Sequence, residues 1–325
     1  MAIKLPAESL SFLEKSRGPG ELGNEPYWHR FCDIKRKLEV GKVKIIVGQS
    51  VVSRNGKVFI CLGNLVNIKA CARTECGLVR EQNEDVVYVD STYRFFIVCD
   101  GMGGHAAGEV AAELAASKAA ETIVRLVGRV QAQGTLNIPS TWAKAILKQA
   151  FRDANNAVLD AAEIDERKRD MGSTMTILWL LEGFYAIGHV GDSRVYHSSA
   201  VDTKQLTRDH TLVNEMIKSG AIDAANAESS PYANALTQCI GMQRDVAVEL
   251  RVEPLNVNDR FLVCSDGLSR YLDPSNLEIL KNSDVECTTG ELLSLAYSSG
   301  ARDNVSAIVV HICDIEPQLM AVVTA

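Results

Sequence analysis

FFIVCDG (residues 95–101) and FLVCSDG (residues 261–267) are the stretches from which the fold of this chain is predicted. Each is an apolar run of strand length that ends at an Asp-Gly pair, and the two lie far apart in the sequence. A carboxylate at the end of a strand is held on a rigid element, and the glycine after it lets another group approach the backbone closely. One Asp-Gly pair alone is usually a plain turn, whereas two pairs that each follow a similar apolar run indicate a shared site.

The segments around these two runs predict an α+β fold. Two strands are expected within 86–99, and the apolar runs TMTILWLL, GFYAIGHVGD and NVSAIVVHI continue the strand pattern downstream. The alanine-rich residues 107–127 and the helical spacing over 141–161 predict two long helices in succession. Strands and helices do not alternate regularly, which favours antiparallel sheets over parallel βαβ units.

Residues 1–66 differ from the rest and are interpreted as an N-terminal extension of unassigned role. Residues 16–26 hold five Gly or Pro residues and predict a loop. The runs KVKIIVG and GKVFICLG flank Asn55-Gly56, which predicts a β-hairpin and with it a small β appendage. We therefore divide the chain into this extension, a main domain at 67–313 and a C-terminal tail at 314–325.

The composition excludes several classes of protein. Hydrophobic residues make up 46% and charged residues 23%, which is typical of a globular protein and not of a disordered one. The net charge of −7 and the lack of a basic stripe argue against a nucleic-acid binder. The sequence predicts neither a membrane span nor a signal peptide. Nine cysteines without a C-x-x-C pair predict buried thiols and a cytoplasmic protein.

Further acidic segments join the two Asp-Gly pairs. Glu84-Asp85 precedes the first of these strands, Asp192 stands in a turn between strands, and Asp303-Asn304 precedes the last strand. Carboxylates from several segments suit hard, oxygen-preferring cations such as Mg²⁺ or Mn²⁺. Zinc is disfavoured because the six histidines lack metal-ligand spacing, and His189 and His210 are expected to be structural. Each aspartate alone is read as a turn former, whereas the set predicts a metal site.

Seven motifs, in this order, resemble the metal-dependent serine/threonine protein phosphatase family, the protein phosphatase 2C type, and its bacterial branch in particular. The resemblance implies a central sandwich of two antiparallel β-sheets flanked by antiparallel helix pairs. It also implies that a water activated by two bridged divalent cations hydrolyses phosphoserine and phosphothreonine in proteins. The motifs are GLVREQNED (77–85), DGMGGHxxG (100–108), MGST (171–174), GHVGDSR (188–194), LTRDH (206–210), SDGL (265–268) and DNVS (303–306).

The resemblance further implies a role for each site residue. Asp100 matches the carboxylate that bridges the two metals, and Arg80 matches the arginine that grips the substrate phosphate. Met102 stands where animal members carry a histidine that is proposed as the general acid. His105, three residues further on, is one candidate proton donor here, and a metal-bound water is the alternative. The other implied positions are the metal ligands Glu84 and Gly101 (carbonyl) on one side, Asp266 and Asp303 on the other, Asp192 for a third and weaker metal, and the supporting residues Asp85 and Asn304.

Residues 206–240 match the flap segment of the bacterial members. Their polar, weakly periodic sequence is typical of a mobile lid, and we expect the flap to govern the choice of protein substrate. The expected partners are phosphorylated proteins and a cognate Ser/Thr kinase, and we expect a monomer that binds no nucleic acid.

Two other functions stay open at this stage. A silent phosphatase fold could serve as a sensor or scaffold for a kinase or signalling partner, although the metal carboxylates and Arg80 are all present. A different two-metal phosphohydrolase could act on nucleotides or lipids, although the order of the motifs argues against it.

Overall fold

Two β-sheets form the middle of the protein, and helices cover their outer faces. A computed structural model describes residues 45–47, 57–60, 67–103, 107–134, 137–227, 230–282 and 284–313, all within one compact unit, Gly41–Ala325. The strands are β1 (Ile45–Val47), β2 (Lys57–Ile60), β3 (Asn67–Glu75), β4 (Asp85–Asp90), β5 (Phe95–Met102), β6 (Gly172–Ser173), β7 (Met175–Leu181), β8 (Phe184–Val190), β9 (Arg194–Ser198), β10 (Thr203–Gln205), β11 (Glu249–Pro254), β12 (Arg260–Cys264) and β13 (Val305–Cys313). The helices are α1 (Ala107–Ala132), α2 (Ser140–Ile164), α3 (Leu212–Lys218), α4 (Asp266–Ser269) and α5 (Val285–Ser298), with 3₁₀ turns at Glu166–Lys168, Ala224–Asn226 and Asn276–Lys281.

The first sheet has the strand order β1-β4-β5-β7-β8-β11, with β6 beside β5, and the second has the order β10-β9-β12-β13-β3-β2. All pairs are antiparallel except β1 with β4, which is parallel. The predicted α+β sandwich of two antiparallel sheets is therefore confirmed.

The predicted hairpin around Asn55-Gly56 is wrong. Its two runs do form strands, but β1 pairs with β4 at the edge of the first sheet and β2 pairs with β3 at the edge of the second. Each edge offers an unpaired row of backbone donors and acceptors that an apolar strand can satisfy. The turn preference of Asn55-Gly56 is outweighed by the backbone hydrogen bonds that the longer strands β4 and β3 offer to the two runs.

The α1/α2 pair, the two sheets and α5 stack as four layers, and three apolar clusters lie between them. One lies between the α1/α2 pair and the first sheet, one lies between the two sheets, and one lies between the second sheet and α5. Because the first sheet is covered on both faces, β4 and β5 are near-continuous apolar runs without polar alternation. The alanines predicted to build α1 let it approach α2 and β5 closely, since Ala111, Ala115 and Ala119 are fully buried.

Antiparallel pairing brings several strand ends to one end of the sandwich. Strands β5 and β8 of the first sheet end there, as does β12 of the second, while β4, β9 and β13 begin there. Asp85 lies directly opposite Asp100 in the β4/β5 register. The acidic segments flagged in the sequence stand at these ends.

Among the described residues, none of the helices combines the length and apolarity that a membrane crossing requires.

Candidate metal centre

Carboxylates from both sheets meet at this end of the sandwich. The first sheet contributes those at the end of β5, at the end of β8 and at the start of β4, and the second contributes those flanking the β12–β13 pair. Burial, and after it the charges of neighbouring carboxylates, raises the pKa of several of these side chains. The carboxylates are Glu84, Asp85, Asp100, Asp192, Asp266 and Asp303.

The backbone of Asp100 is held by the segment 171–174. The Asp100 N–H donates to Thr174 Oγ1 at 2.9 Å, and its carbonyl accepts from the Thr174 N–H at 2.9 Å and from Ser173 Oγ at 3.0 Å. Thr174 Oγ1 also lies 2.8 Å from Ser193 Oγ, beside Asp192. The M-G-S-T motif therefore fixes the position of Asp100 and links it to the turn that carries Asp192.

Asp85 joins the two sheets behind the carboxylate cluster. Its Oδ2 accepts from Ser265 Oγ at 2.7 Å and from Ser306 Oγ at 2.6 Å; Ser306 lies in β13 of the second sheet and Ser265 directly follows β12 of the same sheet. Burial raises the pKa of Asp85 to about 7, with Asp266 acting in the same direction and the two serine hydroxyls opposing it. Asp85 therefore supports the cluster from behind.

The glycines of the Asp-Gly pairs allow close backbone approach, as the sequence predicts. A Cβ at Gly101 would lie 2.1 Å from the carbonyl oxygen of Gly108 in the first turn of α1. A Cβ at Gly267 would lie 2.0 Å from the carbonyl oxygen of Asn304. Side chains at either position would push apart the segments that carry the carboxylates.

Asn304 connects three of the segments at the centre. Its Oδ1 accepts from the Glu84 N–H at 2.9 Å, and its Nδ2 donates to the carbonyls of Cys76 and Gln82 at 3.0 and 2.9 Å. The Glu84 carbonyl in turn accepts from the Gly101 N–H at 3.2 Å. Asn304 thus positions Glu84 against the end of β5.

Two arginines pair with carboxylates of the cluster. Arg80 Nη2 lies 2.9 Å from Asp303 Oδ2, with the arginine side chain half exposed. Arg270 forms a salt bridge to the Asp266 carboxylate and also donates from Nε to the Asp266 carbonyl at 3.1 Å. The cluster thus faces an exposed guanidinium on one side and a partly buried one on the other.

Burial and mutual repulsion act on the acidic groups together. Burial raises the pKa of Asp100 well above its usual value, and the neighbouring carboxylates of Asp85, Asp266 and Asp192 raise it further. The pKa of Asp192 rises to about 7, mainly through burial and then through Asp266. Burial also raises the pKa of Glu84, although the Arg80 guanidinium opposes the shift. Bound cations would favour the ionised form of all these groups.

The structure therefore brings together nearly all of the site residues that the sequence predicts. Met102 ends β5 beside the cluster, and it is partly exposed. His105, the predicted proton donor, lies outside the described residues. Sequence reasoning did not assign roles to Ser265, Ser306 or Arg270. The two serines stand inside quoted motifs, but only their pairing with Asp85 across the sandwich reveals what they do.

A separate cluster of possible metal ligands lies beside β8. His189, His210 and Glu249 have ligand atoms within 4.8 Å of one another. We assign it a structural role that ties residues 208–210 to β8, because three of the four ring nitrogens already have hydrogen-bond partners. These are Thr176 Oγ1 at 2.9 Å and the Arg208 carbonyl at 3.2 Å for His189, and the Gly191 N–H at 3.2 Å for His210.

Comparisons with known proteins agree with this geometry. Residues 79–289 match the profile of the family described as Protein phosphatase 2C. The chain is 31% identical over 244 residues to the serine/threonine phosphatase stp of Listeria monocytogenes, which covers 74% of this chain and 94% of that protein.

Solved structures show the same relationship. The Mycobacterium tuberculosis serine/threonine phosphatase PstP superposes with a TM-score of 0.67 at 32% identity, over 78% of this chain and all of that one. The PstP catalytic domain in complex with two manganese ions superposes with a TM-score of 0.66 at 31% identity, over 77% of this chain and all of that one. The chain therefore belongs to the protein phosphatase 2C family.

Proposed function

We propose that this chain hydrolyses phosphoserine and phosphothreonine in proteins with the help of two divalent cations, Mn²⁺ or Mg²⁺. The observation that carries the proposal is the convergence of carboxylates from two sheets beside an exposed arginine. Family membership and the relatives named as serine/threonine phosphatases support the same activity.

The donor set fits the proposed cations. All the side-chain donors are carboxylates, which suit Mg²⁺ and Mn²⁺. Asp266 Oδ1 and Asp85 Oδ1 are buried without a hydrogen-bond partner among the described residues, which is costly unless a cation lies nearby. Asp100 would bridge the two cations, and Asp192 would serve a third, weaker one. The remaining ligands would be Glu84 and the Gly101 carbonyl on one side, and Asp266 and Asp303 on the other.

Each part of the centre has a distinct task in this proposal. When bound, the two cations supply an acidified water and neutralise charge on the phosphoryl oxygens. The Arg80 guanidinium would bind two oxygens of the substrate phosphate, a geometry that its planar fork matches. Asp85 and Asn304 hold the ligand-bearing segments from behind. His105 would be a candidate proton donor to the leaving group.

We also propose a setting for the enzyme. Its substrates would be phosphorylated proteins, its partner a Ser/Thr kinase, and it would act as a cytoplasmic monomer without nucleic acid. The buried thiols of Cys99, Cys239 and Cys264, which form no disulfide, support a reducing compartment. Nothing observed favours the scaffold alternative.

The domain boundaries form a further part of the proposal. We place the catalytic domain at 67–313, the flap at 206–240, the extension at 1–66 and the tail at 314–325. Because β1 and β2 add edge strands to both sheets, a chain that begins at Gly41 is expected to be more stable than one that begins at Asn67. Equal thermal stability of the two would show that these strands contribute nothing.

The test of the activity is phosphate release from a phosphothreonine peptide with Mn²⁺, with Mg²⁺ and with EDTA. We expect release that depends on the metal and that falls by at least about 10-fold to 100-fold in Asp266→Ala, since mutation of a residue that only supports a metal ligand already costs about 10-fold to 100-fold in activity. The matched control is Asp160→Ala, which removes an exposed carboxylate on α2. A folded wild-type protein that releases no phosphate with either metal would overturn the proposal in favour of a scaffold.

A further inference from the structure

A cavity of about 430 Å³ opens at the start of the flap, and we call it the flap pocket. Its walls are the loop that follows β10 and one side of α3. This volume falls within the range of sites that bind small ligands or single side chains. The residues that matter for its chemistry are Arg194, Thr207, Arg208, Asp209 and Lys218.

Two of the charged groups in the flap pocket neutralise each other. Arg194 binds the Asp209 carboxylate through both Nε and Nη2, at distances of 2.6 to 3.0 Å, and its Nη1 donates to Tyr196 OH at 3.0 Å. This pair is mostly buried. Arg194 and Asp209 therefore form a fixed wall and add no net charge.

The other charges leave the flap pocket positive. Arg208 and Lys218 both face Glu215, with nitrogen–oxygen distances of 3.2 and 4.0 Å. All three side chains are about half exposed or more. Glu249 also lies close by and accepts from the Arg208 N–H at 3.1 Å, but neither glutamate lines the flap pocket, whose lining carries three basic side chains against one acidic side chain.

The flap pocket adjoins the candidate metal centre. The loop that leaves it is fastened to the turn carrying Asp192, because the His210 N–H donates to the Gly191 carbonyl at 2.7 Å and the Gly191 N–H donates to His210 Nδ1 at 3.2 Å. A substrate chain that presents its phosphate to the metal centre would pass this loop.

From this geometry we infer that the flap pocket binds a second anionic group of the peptide substrate, namely an acidic side chain near the hydrolysed residue. Arg208 and Lys218 supply the charge, and an arginine and a lysine together hold enough N–H donors to bond both oxygens of a carboxylate. The inference rests on the proposed phosphatase activity and adds a substrate class to it. Peptides with acidic flanks would be preferred over neutral ones.

The test uses phosphothreonine peptides that differ by one residue, with a glutamate or an alanine placed in turn at each flanking position. The readout is the ratio of kcat/KM for the two peptides on the same protein preparation, so any loss of folded enzyme cancels. Exposed charge pairs contribute modestly, so we expect a preference of about fivefold to tenfold at the best position, mainly in KM. Raising the salt concentration should shrink it.

The decisive comparison is with the double variant Arg208→Gln/Lys218→Gln, in which we expect the preference to fall to less than about twofold. The matched control Lys144→Gln/Lys148→Gln removes the same charge from exposed positions on α2 and should keep the preference. A wild-type enzyme without an acidic preference, or a preference that survives in the double variant, overturns the inference. Failure of the wild type to hydrolyse either peptide instead overturns the phosphatase activity on which it rests.

Discussion

Acid should destabilise this protein through His189 in particular. The His189 ring is fully buried between the Thr176 hydroxyl and the Arg208 carbonyl, at 2.9 and 3.2 Å. Burial lowers the pKa of His189 to about 3, and the neighbouring His210 acts in the same direction. The unfolded chain, with a histidine pKa of about 6.5, therefore binds the proton first. The stability that His189 contributes is fully present above that value and falls as the pH drops toward 3.

The size of the effect follows from these two values. About pH 5 lies roughly 1.5 pH units below the unfolded pKa, and each unit corresponds to about 1.36 kcal/mol. Wild-type protein should thus lose about 2 kcal/mol of unfolding free energy through His189 between about pH 8 and pH 5. The carboxyl groups of Asp85 and Asp192, whose pKa values rise to about 7, increase the free energy of unfolding on acidification, because the folded state binds their protons first.

The assay is urea unfolding in EDTA at both pH values, followed by the fluorescence of the buried Trp179. The comparison is with His189→Gln, whose amide can bond to both the Thr176 hydroxyl and the Arg208 carbonyl but does not titrate. The contributions of Asp85 and Asp192 are common to both proteins and cancel. The variant should lose about 2 kcal/mol less than the wild type on acidification. Equal losses in the two proteins would contradict a lowered pKa for His189 in the folded state, since they would show that the ring stays unprotonated in both states or charges in both.

Three further predictions concern packing, charge and the flap. Gly188→Ala would place a Cβ 2.5 Å from the Phe151 ring, so we expect the free energy of unfolding in urea to fall by about 1–3 kcal/mol. Adding Phe151→Leu should restore most of this loss, and a double variant that restores none of it would contradict the clash. Arg270→Gln should lower the free energy of unfolding in EDTA by about 1–2 kcal/mol, because the partly buried Asp266 carboxylate loses the Arg270 guanidinium that pairs with it. An unchanged melting temperature would argue against this pairing. Deleting 221–235, a segment that lies between α3 and the β-bridge of Leu236 with Thr211, should reduce hydrolysis of phosphopeptides more than hydrolysis of an aryl phosphate. An equal reduction of both would refute a role in substrate choice.

The sequence was most informative where local pattern and chemistry coincide. FFIVCDG and FLVCSDG each predicted a buried strand with a carboxylate near its C-terminal end, and β5 and β12 confirm the two strands. The two long helices were predicted within a few residues, because alanine content and helical spacing are properties of a single segment. The choice of residue types at the centre also predicted an oxygen-preferring metal site, since ligand chemistry depends on side-chain identity alone.

Pairing between distant segments could not be predicted in this way. The Asn55-Gly56 signal predicts a hairpin, yet β1 and β2 join different sheets, because the free edges of β4 and β3 exist only after the sandwich has formed. Sheet edges of this kind are a product of the whole topology.

Residue identities alone specify which groups are available: the carboxylates, the glycines that permit close approach, and Arg80. The folded arrangement places these groups at one end of a sandwich and brings Ser265 and Ser306 to Asp85 across it. It also decided that Arg270 faces Asp266 and that Arg208 and Lys218 share a pocket. The physical reason is that residue type sets the chemistry of a group, whereas its neighbours, and with them its pKa and its role, follow from contacts between segments far apart in the chain.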